Sequence, residues 1–375
     1  MFNLLFNLLV NGGTILGIFI IVLLNSRGVR KSRANLFLSI LLGALTFSVA
    51  HNFYAGHVIR MFTSPGSWHF VGDPTLLIIA PLLWFYTVEL TGGRVTFSPV
   101  TILQLAPFIL ICIISISLRY FPADGAVVRF LAGHGRLMTA IYWAGVAVQF
   151  AWYVILIHRK WLSYQQTIRQ EVSNPEDVNI SWIRYFTIVF LAVTLFMVFG
   201  LFAVIHLDYG VWIWQSAGIV FSISIFALGY RGILQKEIFH TEPVIADTKV
   251  VAEQKQSVDQ QSIAALVEFM ERSRPYLDPD LSLSGLAKSM SMGRAQLSQL
   301  INEGMGENFY DFINKYRVEE VKRLMADPSM KHYNLLGIAL EAGFKSKSTF
   351  NLTFKRFTGL TPTEYRRNIT QQDVQ

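Results

Sequence analysis

LSLSGLAKSMSMGRAQLSQLINEGMG, residues 281–306, decides how the far end of this chain folds. Its apolar positions, Leu283, Leu286, Ala287 and Met290, then Leu297, Leu300 and Ile301, recur at three- and four-residue intervals. That period predicts two short amphipathic helices with a turn near Ser291 to Gly293, where Gly293 can cap the second helix. A long amphipathic helix over about Phe309 to Met325 follows and is broken at Asp327-Pro328. The pattern then recurs in IALEAGFKSKSTFNLTFKRFTGLTPTEYRR, residues 338–367. Ile338-Ala339 matches Leu286-Ala287, Phe350 matches Leu297, Phe354 matches Ile301 and Gly359 matches Gly306, with one additional residue in the second turn. Two helix-turn-helix units in tandem, joined by one uninterrupted helix, is the natural reading. One such match is easily imitated by any pair of short amphipathic helices, and the repetition is what makes it specific.

Upstream, Ile263, Leu266, Val267 and Met270 form one face of a further helix, ended by Pro275. Before that, residues 236–260 mix charges, glutamine and short aliphatics without sustained period and read as a flexible linker. A coil of that length reaches roughly 28 Å, enough for a domain to pivot and poorly suited to a rigid lever. The expected layout is thus residues 1–235, the linker 236–260, and a soluble domain at 261–370.

Residues 1–235 belong to another solvent. The whole chain is 52% hydrophobic and 15% charged, with a mean hydropathy of +0.40, too apolar for an ordinary soluble protein. A bilayer core needs about 20 apolar residues per helix. Seven stretches qualify, at roughly 4–25, 35–57, 70–91, 98–119, 136–158, 183–206 and 211–232. The expected fold class is all-α: a seven-helix transmembrane bundle followed by a soluble helical domain. The first stretch has no basic segment before it and is followed by Arg27, Arg30, Lys31 and Arg33, which reads as a retained span and not a cleaved leader.

The same cations orient the bundle. With the N-terminus outside, 11 basic residues fall on cytoplasmic segments and 4 on the outer side, so the positive-inside rule places the C-terminal domain in the cytoplasm. A net charge of +7 invites a nucleic-acid partner, but the excess lies elsewhere. Residues 1–235 hold 14 Lys+Arg against 7 Asp+Glu, while residues 236–375 hold 18 against 18. Charge alone therefore argues topology. His51, Asn52, Asp73 and His206 fall toward outer span ends and are candidate ligand contacts, with interfacial anchoring as the alternative. Asp73 and Glu89 are costly in lipid, and Glu89 with Arg94 close behind reads as an ion pair at the inner boundary. Gly13 and Gly17 form a GxxxG spacing suited to close packing or dimerisation.

Catalytic motifs are missing from the spans: no HExxH, GxSxG, CxxC or GxxxxGK[ST] occurs. The single Cys112 excludes a disulfide framework. No catalytic residue, metal site or cofactor is expected, which leaves a sensory or anchoring role. A transporter or membrane enzyme with an accessory domain, or a passive tether, are the rival classes.

Residues 338–367 resemble the signature of AraC-type transcription regulators: an Ala, a Gly-Phe pair, a Ser-x-x-Phe helix, a Phe-Lys, and a Gly-x-x-Pro-x-x-Tyr-Arg ending. The resemblance extends over about residues 262–367, and the layout is similar to a membrane-anchored bacterial branch of that family. It implies two units reading successive major grooves about 34 Å apart. It exposes Arg294, Ala295, Gln296, Ser298, Gln299 and Asn302 on the first reading helix, and Ser346, Lys347, Ser348, Asn351, Leu352 and Lys355 on the second. Gln299, Asn302 and Asn351 carry amides able to read base edges, and Lys347 and Lys355 can reach guanine or phosphate. Leu352 departs from the basic residue expected there, so a thymine methyl is met or the contact is lost. Phe344, Phe350, Phe354, Phe357 and Tyr365 are expected in the core. Residues 331–367 hold 7 Lys+Arg against 2 acids, whereas residues 281–327 balance 6 against 6, so the second unit is expected to carry more phosphate attraction. The implied partners are double-stranded DNA, the bilayer of a bacterial inner membrane, an unidentified small-molecule signal, a second copy as a homodimer, and RNA polymerase.

Overall fold

The computed structural model describes residues 2–26, 33–62, 74–96, 98–120, 134–174, 181–207, 211–234, 260–330 and 332–372. These residues are helical with turns, and no strand occurs among them beyond one isolated antiparallel bridge, Val172 to Ser282. The expected linker lies outside them apart from Gln260, which opens a helix. The chain divides into two compact units. One is Met1–Trp161 with Ile180–His240, and the other is Leu162–Asn179 with Thr241–Gln375.

Among the described residues the first unit carries seven helices: α1 Phe2–Leu24, α2 Arg33–Phe62, α3 Leu76–Leu90, α4 Pro99–Tyr120, α5 Gly135–Glu171, α6 Ser181–Leu207 and α7 Val211–Leu234. The end of α5 continues into the second unit. By length and composition two stretches, Arg33–Ala50 and Ile141–Glu171, can cross a membrane; Leu8–Leu24, Leu76–Leu90, Pro99–Ile114, Trp182–Phe196 and Gly218–Gly232 are shorter apolar helices. The interior is joined by polar and aromatic contacts. Phe150, Phe190 and Phe221 stack in series from α5 through α6 to α7, at 5.8 and 5.7 Å between centroids. Gln149 donates to the Leu77 carbonyl at 3.0 Å. Gly13 lies so close to α7 that a β-carbon would stand 2.6 Å from the Ser222 side chain, and at Gly17 one would stand 3.3 Å from Ile225. The GxxxG spacing thus serves packing within the chain. Glu89 corrects an expectation: its partner is Arg33 at 3.4 Å, and its carboxylate also accepts from the Val95 amide at 2.8 Å. A residue 56 positions away in sequence wins because α2 and α3 pack side by side.

The second unit contains α8 Gln260–Ser273, α9 Leu283–Ser289, α10 Arg294–Gln299, α11 Phe309–Ala326, α12 Leu335–Glu341, α13 Lys347–Thr358 and α14 Pro362–Gln372. Helix starts are written in the sequence. Ser282, Asn308, Asn334 and Ser346 each accept from the backbone amide three residues on, at 3.1, 2.9, 2.7 and 3.2 Å. Such caps stabilise by about 1 kcal/mol each. Gly359 ends α13 at φ +76°, a left-handed conformation that glycine enters without strain.

Each helix-turn-helix unit has its own core, and α11 serves both. Phe309, Phe312 and Ile313 pack with Leu266, Leu283, Leu286, Leu297 and Ile301. Val318, Val321 and Leu324 pack with Ile338, Ala339, Phe344, Phe350 and Phe354. The long helix is therefore a shared wall, which holds one reading helix at each end. Of the five aromatics expected inside, Phe357 is the exception: it is 38% exposed, with the Arg356 guanidinium 4.8 Å from its ring centre. It keeps the i+7 spacing from Phe350 but stands in the last turn of α13, outside the core that Phe350 and Phe354 occupy.

Candidate nucleic-acid interface

Helix α10 opens at Gly293, whose extended backbone acts as the N-cap expected of it. Leu297, Leu300 and Ile301 turn inward and fix which face looks out. Arg294, Ala295 and Gln296 are exposed, while Ser298, Gln299 and Asn302 are half-buried. A π-turn over Leu300–Gly304 continues the helix and carries Asn302. The polar groups of this face are engaged within the chain. Gln299 donates to the Glu303 carboxylate at 2.8 Å, and Asn302 to the Ser298 hydroxyl at 3.2 Å. Arg294 is ion-paired through two of its nitrogens with the Glu171 carboxylate.

Helix α13 differs. Phe350, Thr353 and Phe354 anchor it, and the Thr353 hydroxyl meets the Tyr310 hydroxyl at 3.0 Å, tying the second reading helix to α11. Lys347, Ser348, Asn351, Leu352 and Lys355 are exposed on the opposite side, and Ser346 caps the helix. Leu352, at 73% exposure, is among the most exposed large apolar side chains of the second unit. Arg356 pairs with Asp311 across the two helices. The structure therefore groups the two sets of expected contacts on two helices held by one spacer. The spacer has 18 residues, about 27 Å of helix. The four candidate ligand residues are not among the side chains described: Asp73 lies outside the described residues, and His51, Asn52 and His206 are placed only as backbone within α2 and α6.

Sequence reading missed a buried group at the centre of the second unit. Arg317, in α11, is fully buried. It donates to the carbonyls of Tyr276 at 2.8 Å, Asp278 at 2.8 Å and Ser173 at 3.3 Å, and to the Ser173 hydroxyl at 3.0 Å. Burial pushes its pKa down to about 10, against an opposing pull from Asp278, so the guanidinium stays charged near neutrality. Gly343, of the Gly-Phe pair, lies against it at φ +89°; a β-carbon there would stand 3.0 Å from Arg317 Nε and 3.0 Å from the Leu277 carbonyl. That close approach explains the glycine. A charged residue on the stripe Ile313, Arg317, Val321, Leu324 was the available signal, and the identity of its partners was not.

Residues 286–368 match the family described as Helix-turn-helix domain. An uncharacterised HTH-type transcriptional regulator of Staphylococcus aureus strain COL is 38% identical over 87 residues, which is 23% of this chain and 11% of that protein. The uncharacterised transcriptional regulatory protein YesN of Bacillus subtilis is 36% identical over 92 residues, 24% of each. The chain thus spans about a tenth to a quarter of the length of these relatives. A solved structure from Listeria innocua, described as a protein of unknown function, shares 30% identity over 28% of this chain and 94% of that one, with a TM-score of 0.25. The matched region takes in α11, the second core and most of the first, and residues 286–368 are accordingly a helix-turn-helix domain.

Proposed function

We propose that the protein is a membrane-embedded, one-component transcription regulator, in which the second unit binds specific double-stranded DNA. The observation that carries the DNA reading is the pair of outward faces on α10 and α13, set at the two ends of one rigid helix in a domain of the AraC type. A major groove accepts one helix, and two grooves on one side of a duplex are about 34 Å apart. Asn351 and Gln299 supply amides for base edges, and Lys347 and Lys355 supply positive charge for phosphate.

Membrane residence is supported by the apolar outer surface of the first unit and the small hydroxyl residues inside it. Val148, Leu103, Ile15 and Phe199 are among its exposed side chains, while Ser48, Thr87 and Thr187 are fully buried. Thr87 and Thr187 return their hydroxyl protons to carbonyls one turn back, at 2.7 and 2.9 Å, as small polar residues do at helix contacts in lipid. The proposed site is the inner membrane of a bacterium, with the N-terminus outside and the second unit in the cytoplasm. Lipid, a small-molecule signal, a second copy and RNA polymerase are the further proposed partners.

The test is twofold. Full-length protein in nanodiscs should bind genomic duplex fragments with affinity that falls steeply with salt, and no salt-sensitive binding at any fragment overturns the DNA reading. Alkaline phosphatase fused after residue 234 should be inactive while a fluorescent protein there is bright; the reverse pattern overturns the orientation.

A further inference from the structure

The segment Glu171 to Asn174 follows the long apolar helix α5 in the chain, yet it is built into the helix-turn-helix domain. Ser173 and Asn174 are buried within the second unit, against both helix-turn-helix halves. The Ser173 hydroxyl donates to the Leu281 carbonyl at 2.8 Å, and its amide to the same oxygen at 3.3 Å. Asn174 donates to the carbonyls of Pro279 at 2.7 Å and Gly343 at 3.2 Å, one on either side of the junction. From α11, Asn314 and Arg317 donate back to the Ser173 carbonyl. The cleft is thus lined by backbone acceptors and two buried donors, a chemistry that fits an extended segment with a hydroxyl followed by an amide.

Two residues before Ser173, the Glu171 carboxylate accepts from two nitrogens of the Arg294 guanidinium. Arg294 is the first residue of the first reading helix. A carboxylate there occupies the donors a phosphate would need and adds negative charge where DNA must approach. The docked state is also imperfect: the side-chain oxygen of Asn174 is buried without a hydrogen-bond partner. An unpaired buried acceptor opposes the docking.

We infer that the cleft between the two helix-turn-helix units is a receptor for the segment Glu171–Asn174, and that the docked segment is an inhibitory latch which withholds Arg294 from DNA. Release of the segment raises DNA affinity. Because Glu171 is the last residue of α5, a displacement of that helix is carried covalently into the latch, with no need for the linker at 236–260 to transmit it. The inhibitory half rests on the DNA-binding reading above, while the docking half does not.

Val172 and Ser282 form the non-hydrogen-bonded pair of the antiparallel bridge, where α-carbons stand about 4.5 Å apart, within disulfide reach. Full-length V172C/S282C in a C112A background, in nanodiscs, should form an internal disulfide under mild oxidation. Failure to form it overturns the docking. E171Q, which leaves every buried hydrogen bond in place, should bind duplex DNA about two- to fivefold more tightly than the native chain. S173A/N174A should gain at least as much, and the oxidised cysteine pair should bind no more tightly than the native chain and gain on reduction. A disulfide that forms while E171Q, S173A/N174A and reduction all leave affinity unchanged overturns the latch. No salt-sensitive DNA binding by any variant sinks the DNA-binding reading and the latch together, and the disulfide still reports on docking alone.

Discussion

Arg317 donates its Nε proton to the Tyr276 carbonyl at 2.8 Å, from inside a helix whose other buried residues are mostly apolar. A buried charge is tolerated only where its donors are all matched, and here three backbone carbonyls and a hydroxyl surround it. The guanidinium thereby ties the segment at Ser173 to the turn at Tyr276–Asp278 and to α11, two pieces that already share the first core. Arg317→Ala leaves those oxygens buried and unpaired and opens a cavity. Loss of about 3–5 kcal/mol is expected, read as a large fall in the denaturation midpoint of the second unit; a change below about 1 kcal/mol would sink this account.

Gly343→Ala should be nearly as damaging for a different reason. The left-handed backbone there penalises any β-carbon, and the space is already taken by the Tyr276 and Leu277 carbonyls and Arg317. A cost of about 2–4 kcal/mol is expected. Gly306, also left-handed at φ +70°, has open space around it, so Gly306→Ala should cost only about 1 kcal/mol. Comparing the two by thermal denaturation separates crowding from backbone strain.

Glu320 makes the second unit sensitive to acid. Its side chain is 6% exposed, and hydrogen bonds from Arg323 at 2.6 and 2.9 Å hold its carboxyl below the ordinary glutamate range, with Arg274 at 3.7 Å adding to the pull. A depressed folded pKa contributes stability in full above the unfolded value, and that contribution is lost as pH falls through the folded one. The stability gap between the native chain and Glu320→Gln should therefore be constant from neutrality to about pH 5 and shrink below about pH 4.5. Urea titrations at several pH values check this, and a gap that widens on acidification contradicts it.

The second reading helix should dominate the salt response. Lys347→Ala and Lys355→Ala are each expected to lower the slope of log affinity against log salt by about 0.9 if the lysine meets a phosphate. Asn351→Ala should instead leave the slope and relax sequence preference by about 1–3 kcal/mol at one base pair. Binding of these variants to one operator and to scrambled duplex, across a salt series, tells the roles apart.

Much of the soluble domain is legible because its signals are local. Apolar residues every three or four positions, Gly293 as a cap and Pro328 as a stop all act within a few residues of where they stand; the caps Ser282, Asn308, Asn334 and Ser346 are equally local and went unread. The outward faces of α10 and α13 follow from the same period, because Leu297 and Phe350 turn inward. Phe357 went astray since it keeps the i+7 spacing from Phe350 yet falls in the last turn of α13, where the core ends. Arg33 was missed as the partner of Glu89 since local charge pairs are visible in a string of letters and distant ones are not.

By itself the sequence determined the helices, their caps, the tandem repeat and the apolar character of the first 235 residues, since each depends on residue type and near-neighbour spacing. Only the tertiary structure decided what the buried charge of Arg317 is for, why residue 343 is glycine, and that Glu171 to Asn174 sits inside a domain more than a hundred residues further on. Hydrogen bonds between backbone carbonyls and a distant serine or arginine leave no periodic trace, because any residue supplies the carbonyl and only the fold brings it within reach.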